Sequence, residues 1–169
     1  MLEGVQLKLS ETVAEVLLSP ENQQITNLTL HEKRLRFKCQ QCAVFCCKLG
    51  GPTLSEKDVK RIEQAGYRVE EFLDGNRLKN KEDGSCIFLN FNQKKGIYEC
   101  LIYDFRPALC RLYPFSLEKK SPNSFVLKLI PCCNGLNSPD GELVNEKFII
   151  KHLLDSVIEI FEETRKGVA

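Results

Sequence analysis

Four cysteines fall within nine residues, Cys39-Gln40-Gln41-Cys42-Ala43-Val44-Phe45-Cys46-Cys47, and no other stretch constrains the chain as much. A C-x2-C turn such as Cys39 and Cys42 is the usual way to bring two thiolates to one ion, and zinc needs several such donors at about 2.3 Å. Five more cysteines follow at Cys86, Cys100, Cys110, Cys132 and Cys133. A buried cysteine often serves only as a small hydrophobe. That accounts for one thiol such as Cys110, between Leu109 and Arg111, but poorly for four in nine residues. Cys46 and Cys47 are adjacent, so one can join Cys39 and Cys42 while the other serves a second site or the core. The same choice is open for Cys132 and Cys133. Eight ligands and one spare, with Cys133 as the spare, would fill two four-thiolate sites or one multinuclear cluster.

Compartment decides how the thiols are read. The start, Met1-Leu2-Glu3-Gly4-Val5, has no basic segment followed by an apolar run, so no secretory leader is expected. No apolar stretch approaches the roughly 18–20 residues of a membrane span. The expectation is a soluble cytoplasmic protein, where clustered cysteines bind metal or do redox chemistry rather than form disulfide staples. Nine is also an odd count, which leaves one thiol over in any all-disulfide scheme. The 24 basic and 23 acidic residues give a net charge of +1, against a nucleic-acid protein. A protein or small-molecule partner is expected, with neither nucleic acid nor membrane. The 169 residues fit one domain, and ten Phe and four Tyr supply a core that need not depend on metal.

Along the chain, residues 5–9 alternate as a short strand, and from Ser10 the spacing of Val13, Val16 and Leu17 predicts a helix that Ser19-Pro20 stops. His31 is expected as a solvated surface residue, and the basic run Lys33, Arg34, Arg36 and Lys38 favours thiolate in the cysteines after it. After Gly50-Gly51-Pro52, Ser55 with Asp58 three residues on predicts a capped helix ending at Gly66. A second short helix is expected at 69–73, then a loop from Asp74 to Gly84. Residues 87–91 and 96–103 read as a hairpin. Centred near residue 93, it would set Cys86 opposite Cys100, where Cα atoms lie about 4.5–5.5 Å apart. Pro107 and Pro114 bracket one short helix. A strand is expected at 125–130, a tight turn at 132–135, and one amphipathic helix from Glu142 to Lys166 with Phe148, Ile149, Leu153, Val157, Ile160 and Phe161 inward. The expected fold is α+β: a small antiparallel sheet flanked by helices, cysteine segments converging on a metal site, and a long C-terminal helix. Residues 1–36 are read as an N-terminal extension, 37–135 as the cysteine-cluster domain and 136–169 as the packed C-terminal helix.

The run C-x2-C-x3-C-C from Cys39, then Cys86-Ile87-Phe88-Leu89, then Cys100 through Arg106-Pro107-Ala108-Leu109-Cys110-Arg111-Leu112-Tyr113-Pro114-Phe115, resembles the CxxCxxCC family of YkgJ-type cysteine-cluster proteins. One departure is that three residues, not two, separate Cys42 from Cys46. The resemblance covers about 37–132 and implies chelation of zinc or iron. It also implies eight metal ligands: Cys39, Cys42, Cys46, Cys47, Cys86, Cys100, Cys110 and Cys132. The family includes the flagellin lysine N-methylase, so it allows an iron–sulfur-dependent enzyme as the alternative to a plain metal-binding protein.

Arg106 and Arg111 flank Cys110 and could hold an anionic substrate or the carboxylate of a cofactor. Their blander role is to satisfy Asp104 or to offset the charge of the thiolates. Whether the protein is an enzyme is left open. Gly50-Gly51-Pro52 is not a dinucleotide loop, there is no H-E-x-x-H, G-x-S-x-G or Walker motif, and His31 and His152 are the only histidines. A zinc-stapled interaction module is a third reading. Sets of four thiolates suit zinc and a 4Fe-4S cluster alike. Zinc would close the site, whereas an iron held by only three cysteines would leave a position for chemistry.

Overall fold

Val13, Val16 and Leu17 sit at helical spacing, yet Thr12–Leu18 is a strand. It lies inside a four-stranded antiparallel sheet, in the order Ile25–Leu30, Thr12–Leu18, Ser124–Leu129, Phe115–Ser121. Val13, Ala14, Val16 and Leu18 are all buried. Ala14, Val16 and Leu18 form its buried face, while on the other face Val13 is buried and Leu17 is exposed, so apolar residues on both faces mimic a helical stripe in the sequence. The strand expected at 125–130 is present, and it has a hairpin partner, Phe115–Ser121, beyond the expected elements.

The computed structural model describes residues 11–167, so the strand expected at 5–9 lies outside the described residues. They divide into two units interleaved in sequence: residues 11–38 with Pro114–Ile149, and Cys39–Tyr113 with residues 150–167. In the first unit Arg36–Phe37 pairs with Glu142–Leu143, and Phe37, Phe115 and Phe148 meet edge to face at 6.1–6.4 Å. Lys38 N–H donates to the Gly135 carbonyl at 3.0 Å, which presses the turn carrying Cys132 and Cys133 onto that backbone.

In the second unit the capping box at Ser55 is present with both of its hydrogen bonds, and it opens the helix Glu56–Gln64. The short helix Val69–Phe72 follows. The stretch expected as loop instead contains a tight hairpin, Leu73–Asp74 with Arg77–Leu78, turned by Gly75 at φ +59°. Leu89–Asn92 pairs with Ile97–Cys100, and Ala108–Leu112 packs on the C-terminal helix Leu154–Lys166. The helix expected from Glu142 starts later. Asn145 caps it at Glu146, and Ile149–Leu153 winds as a π turn. Apolar residues recurring every four positions (149, 153, 157, 161) outrun a 3.6-residue turn, and a wider turn takes up the difference. The fold is α+β, with small antiparallel sheets, helices and a long C-terminal helix. Among the described residues no helix is long and apolar enough to cross a membrane.

Candidate metal centre

The cysteine segment reaches its place through two left-handed residues. Gln41 has φ +52° and Ala43 φ +50°, so the backbone on either side of Cys42 is bent in a way that costs a non-glycine residue about 1–2 kcal/mol. The bends lead into the five-residue helix Val44–Lys48, which carries Cys46 and Cys47. The Cys47 carbonyl then anchors two later segments: Gly50 N–H donates to it at 3.3 Å, and Cys86 N–H donates to it at 2.9 Å. Cys86 is thus brought to Cys47 by the backbone.

Cys100 arrives by the hairpin, but in a different register from that expected. It pairs with Leu89, not Cys86, so the hairpin centres between Lys94 and Lys95 rather than near 93. The turn sets this: Gly96 N–H donates to the Asn92 carbonyl, Lys95 N–H to the Asn92 side chain, and Gly96 takes φ +66°.

Cys47 and Cys86 belong to one buried core cluster, together with Ala43, Ile62, Phe72, Leu78, Phe88, Leu89 and Ile102, and the half-buried Cys46 and Cys100 pack against it. The Cys46 and Cys47 sulfurs are 4.0 Å apart. Either thiol can be the donor in that contact. The contacts of Cys47 with Cys100 and Cys46, together with burial, push its ionisation well up. The contact with Cys47 lowers Cys46 to about 7, against burial and with help from the Arg106 charge. Cys100 is lowered by Cys47, by the Ile102 amide and by Arg106. Burial pushes Cys86 and Cys110 up. Cys110 is half-buried, and Cys86, Cys100 and Cys46 add to the upward push while Arg106 opposes it.

The other thiols stand further out. Cys39 is exposed and hydrogen-bonds Tyr103, whose hydroxyl is raised by burial and by that contact. Cys42 is half-buried. Cys132, exposed, and Cys133 lie in the other unit, where Cys133 sulfur accepts the Gly135 N–H at 3.4 Å. Among the described residues no three His, Cys, Asp or Glu side chains have the geometry of a bound metal. The thiols are gathered but not closed around one point. The donor set itself is soft: sulfur only, with His31 beside Glu15 in the other unit. Such donors fit zinc or iron and not calcium or magnesium.

The two arginines have distinct surroundings. Arg106 lies over the Tyr103 ring at 3.9 Å and donates to the Tyr103 carbonyl, facing the thiols with its charge. Arg111 donates to Glu159 at 2.8 Å and to the Arg106 carbonyl. Glu159 also accepts from Arg61 at 2.6 Å, and Asp58, 2% exposed, accepts from Arg61, from Ser55 N–H and from Ala108 N–H at 2.9 Å. These groups hold the Arg106–Arg111 segment in place. Sequence reasoning finds Asp58 only as a helix cap and does not find Glu159.

The ionisation order is directly testable on the metal-free chain. A lowered thiol becomes thiolate at lower pH, and thiolate is the reactive form. Alkylation of Cys46 should therefore rise through a midpoint near pH 7, ahead of Cys86 and Cys110, and Arg106→Ala should move that midpoint upward. Mass spectrometry of iodoacetamide-treated samples reads it. Cys46 reacting no earlier than Cys110 would contradict the arrangement.

A family model for CxxCxxCC, described as "Putative zinc- or iron-chelating domain", matches residues 38–134. The chain belongs to the CxxCxxCC family. Two uncharacterized proteins of Methanocaldococcus jannaschii are similar to it. MJ0661 is 33% identical over 128 residues, 68% of this chain and 65% of its own. MJ0939 is 30% identical over 143 residues, 78% of this chain and 48% of its own. The chain thus covers less than two thirds of either relative's length. No solved structure matches it. The CxxCxxCC match takes in every cysteine of the chain, the first at Cys39 and the last at Cys133.

Proposed function

We propose that this chain chelates zinc or iron through thiolates, with Cys46, Cys47 and Cys100 at the heart of the donor set and Cys86 and Cys110 beside them. Cys39 and Cys42 join from the preceding turn. Cys132 enters the set only through the family resemblance. The observation that carries the reading is the gathering of Cys46, Cys47, Cys86 and Cys100, from three separate segments, in or against one core cluster. One buried thiol acts readily as a small hydrophobe, so the support comes from the meeting of four from three segments and not from the burial of any one.

Bound zinc would fasten these segments together, and a bound iron–sulfur cluster would supply electron transfer. The chain's own residues prepare for either. Arg106 offsets the negative charge of several thiolates, the Cys47 thiol favours ionisation of Cys46 and Cys100, and the bends at Gln41 and Ala43 redirect the backbone on either side of Cys42.

The test is an anaerobic titration of the metal-free chain with Zn²⁺ or Fe²⁺, with alkylation and mapping of the protected thiols afterwards. Protection of about four or more thiols, Cys46, Cys47 and Cys100 among them, is expected for full thiolate ligation. No change in protection across the titration would overturn chelation and leave these thiols as core packing.

A further inference from the structure

Beside the thiols lies a cavity of ≈ 210 Å³, lined in part by Cys46, Gly51, Arg77, Cys110 and Tyr113. At roughly 30 Å³ per molecule it has room for about seven waters, enough for a small polycarboxylate. Its wall is rigid. Gly51 N–H donates to Asn80 at 2.9 Å, Leu78 N–H donates to the Pro52 carbonyl at 3.0 Å, and Arg77 bridges to Thr53. Gly51 is buried against the hairpin, where a Cβ would stand 2.3 Å from the Leu78 Cβ. Gly51→Ala should therefore give a lower urea midpoint, through overpacking against Leu78.

Arg77 is the polar feature that the chelation reading leaves unused. Its guanidinium, one of five N–H donors committed to the Gly51 carbonyl at 3.1 Å, is held against the loop. Among the described residues no carboxylate pairs with it, whereas Arg106 is occupied with Tyr103 and Arg111 with Glu159. Arg77 is exposed, so its remaining N–H donors are open to solvent at the cavity's rim, and a guanidinium there selects a planar anion that can take two parallel hydrogen bonds. Two thiols on the same wall select a molecule that also has business with a soft metal. Carboxylates serve as zinc ligands in their own right.

We propose that this cavity binds a small carboxylate-bearing chelator, captured by Arg77 beside Cys46 and Cys110, and that metal passes between chelator and thiols there. The proposal rests on the chelation reading, and its test separates the two. Zinc-loaded chain is mixed with a chromophoric zinc acceptor, with and without citrate, and the rate of zinc transfer is followed. Citrate should speed transfer about tenfold in the wild-type chain and leave Arg77→Ala nearly unaffected. Zinc content should be the same in both, and Lys94→Ala should behave as wild type. Inorganic phosphate in place of citrate should give little acceleration.

Equal acceleration in Arg77→Ala, or none in wild type, overturns the proposal while leaving chelation intact. Equal acceleration by phosphate overturns the choice of carboxylate. A chain that takes up no zinc defeats the chelation reading instead. The cavity is then judged on metal-free protein by NMR titration with citrate. A citrate-dependent shift of the Gly51 amide signal that is lost in Arg77→Ala supports the binding site, and no shift overturns it.

Discussion

Asp58→Ala is expected to lower the unfolding free energy by about 3–5 kcal/mol, the cost of breaking a buried charge pair by removing one partner. Asp58 is 2% exposed, and its two oxygens serve three donors on two segments. Oδ2 accepts Ser55 N–H at the start of the helix Glu56–Gln64, while Oδ1 accepts Arg61 at 2.7 Å and Ala108 N–H at 2.9 Å. Alanine would strand the Ala108 amide and leave Arg61 leaning on Glu159 alone. Ser55→Ala removes only the hydroxyl cap and should cost about 1 kcal/mol. Urea unfolding of the two variants side by side reads the difference. A loss at Asp58 no larger than at Ser55 would mean that the carboxylate is a simple cap and does not tie the Arg106–Arg111 segment to the helix.

Cys47→Ser and Cys100→Ser should each weaken metal binding by roughly 100-fold or more, given that losing a mere outer-sphere partner of a metal costs roughly 10–100-fold. Serine is informative at Cys47 because its hydroxyl can donate to Cys46 but is a poor soft-metal ligand. The early alkylation of Cys46 in metal-free protein should therefore survive in Cys47→Ser while metal binding is lost. Cys133→Ser should leave binding unchanged, and Cys132→Ser reports whether the ligand implied by the resemblance is real. Competition against a chelator of known affinity gives the numbers. Wild-type affinity in Cys47→Ser would remove that thiol from the donor set.

Local chemistry is legible in the sequence. The Ser55–Asp58 capping box needs only four consecutive residues to declare itself, and both of its hydrogen bonds are present. The short helix after Pro107 and the strand at Ser124–Leu129 are likewise marked by their own flanking prolines and by alternation. Where apolar residues fall on both faces of a strand, the period is hidden. Thr12–Leu18 is apolar on both faces, and one of its neighbours in the sheet comes from about a hundred residues away in the chain. The hairpin register fails by three residues because the Asn92–Gly96 turn fixes it, and counting to a loop centre cannot see the hydrogen bonds of that turn.

The thiols themselves are visible as a pattern, but not their partners. Glu159 is separated from Arg61 by 98 residues and from Arg111 by 48, and Arg77 meets the cysteine segment only because a tight hairpin places it there. A carboxylate on a helix face and an arginine in a polar stretch carry no local mark of either role. Tertiary placement alone brings Arg106 to Cys46 and Cys100.

The most direct measurement of the central claim is metal, labile sulfide and protein determined on one anaerobically purified sample, with its absorbance spectrum. Chelation predicts zinc or iron at about one or more per chain, lost in Cys47→Ser. Iron with matching sulfide and a visible band would mean a cluster, and colourless protein with zinc would mean closed thiolate sites. A folded chain that carries neither metal as purified, and takes up neither on anaerobic reconstitution, would contradict it.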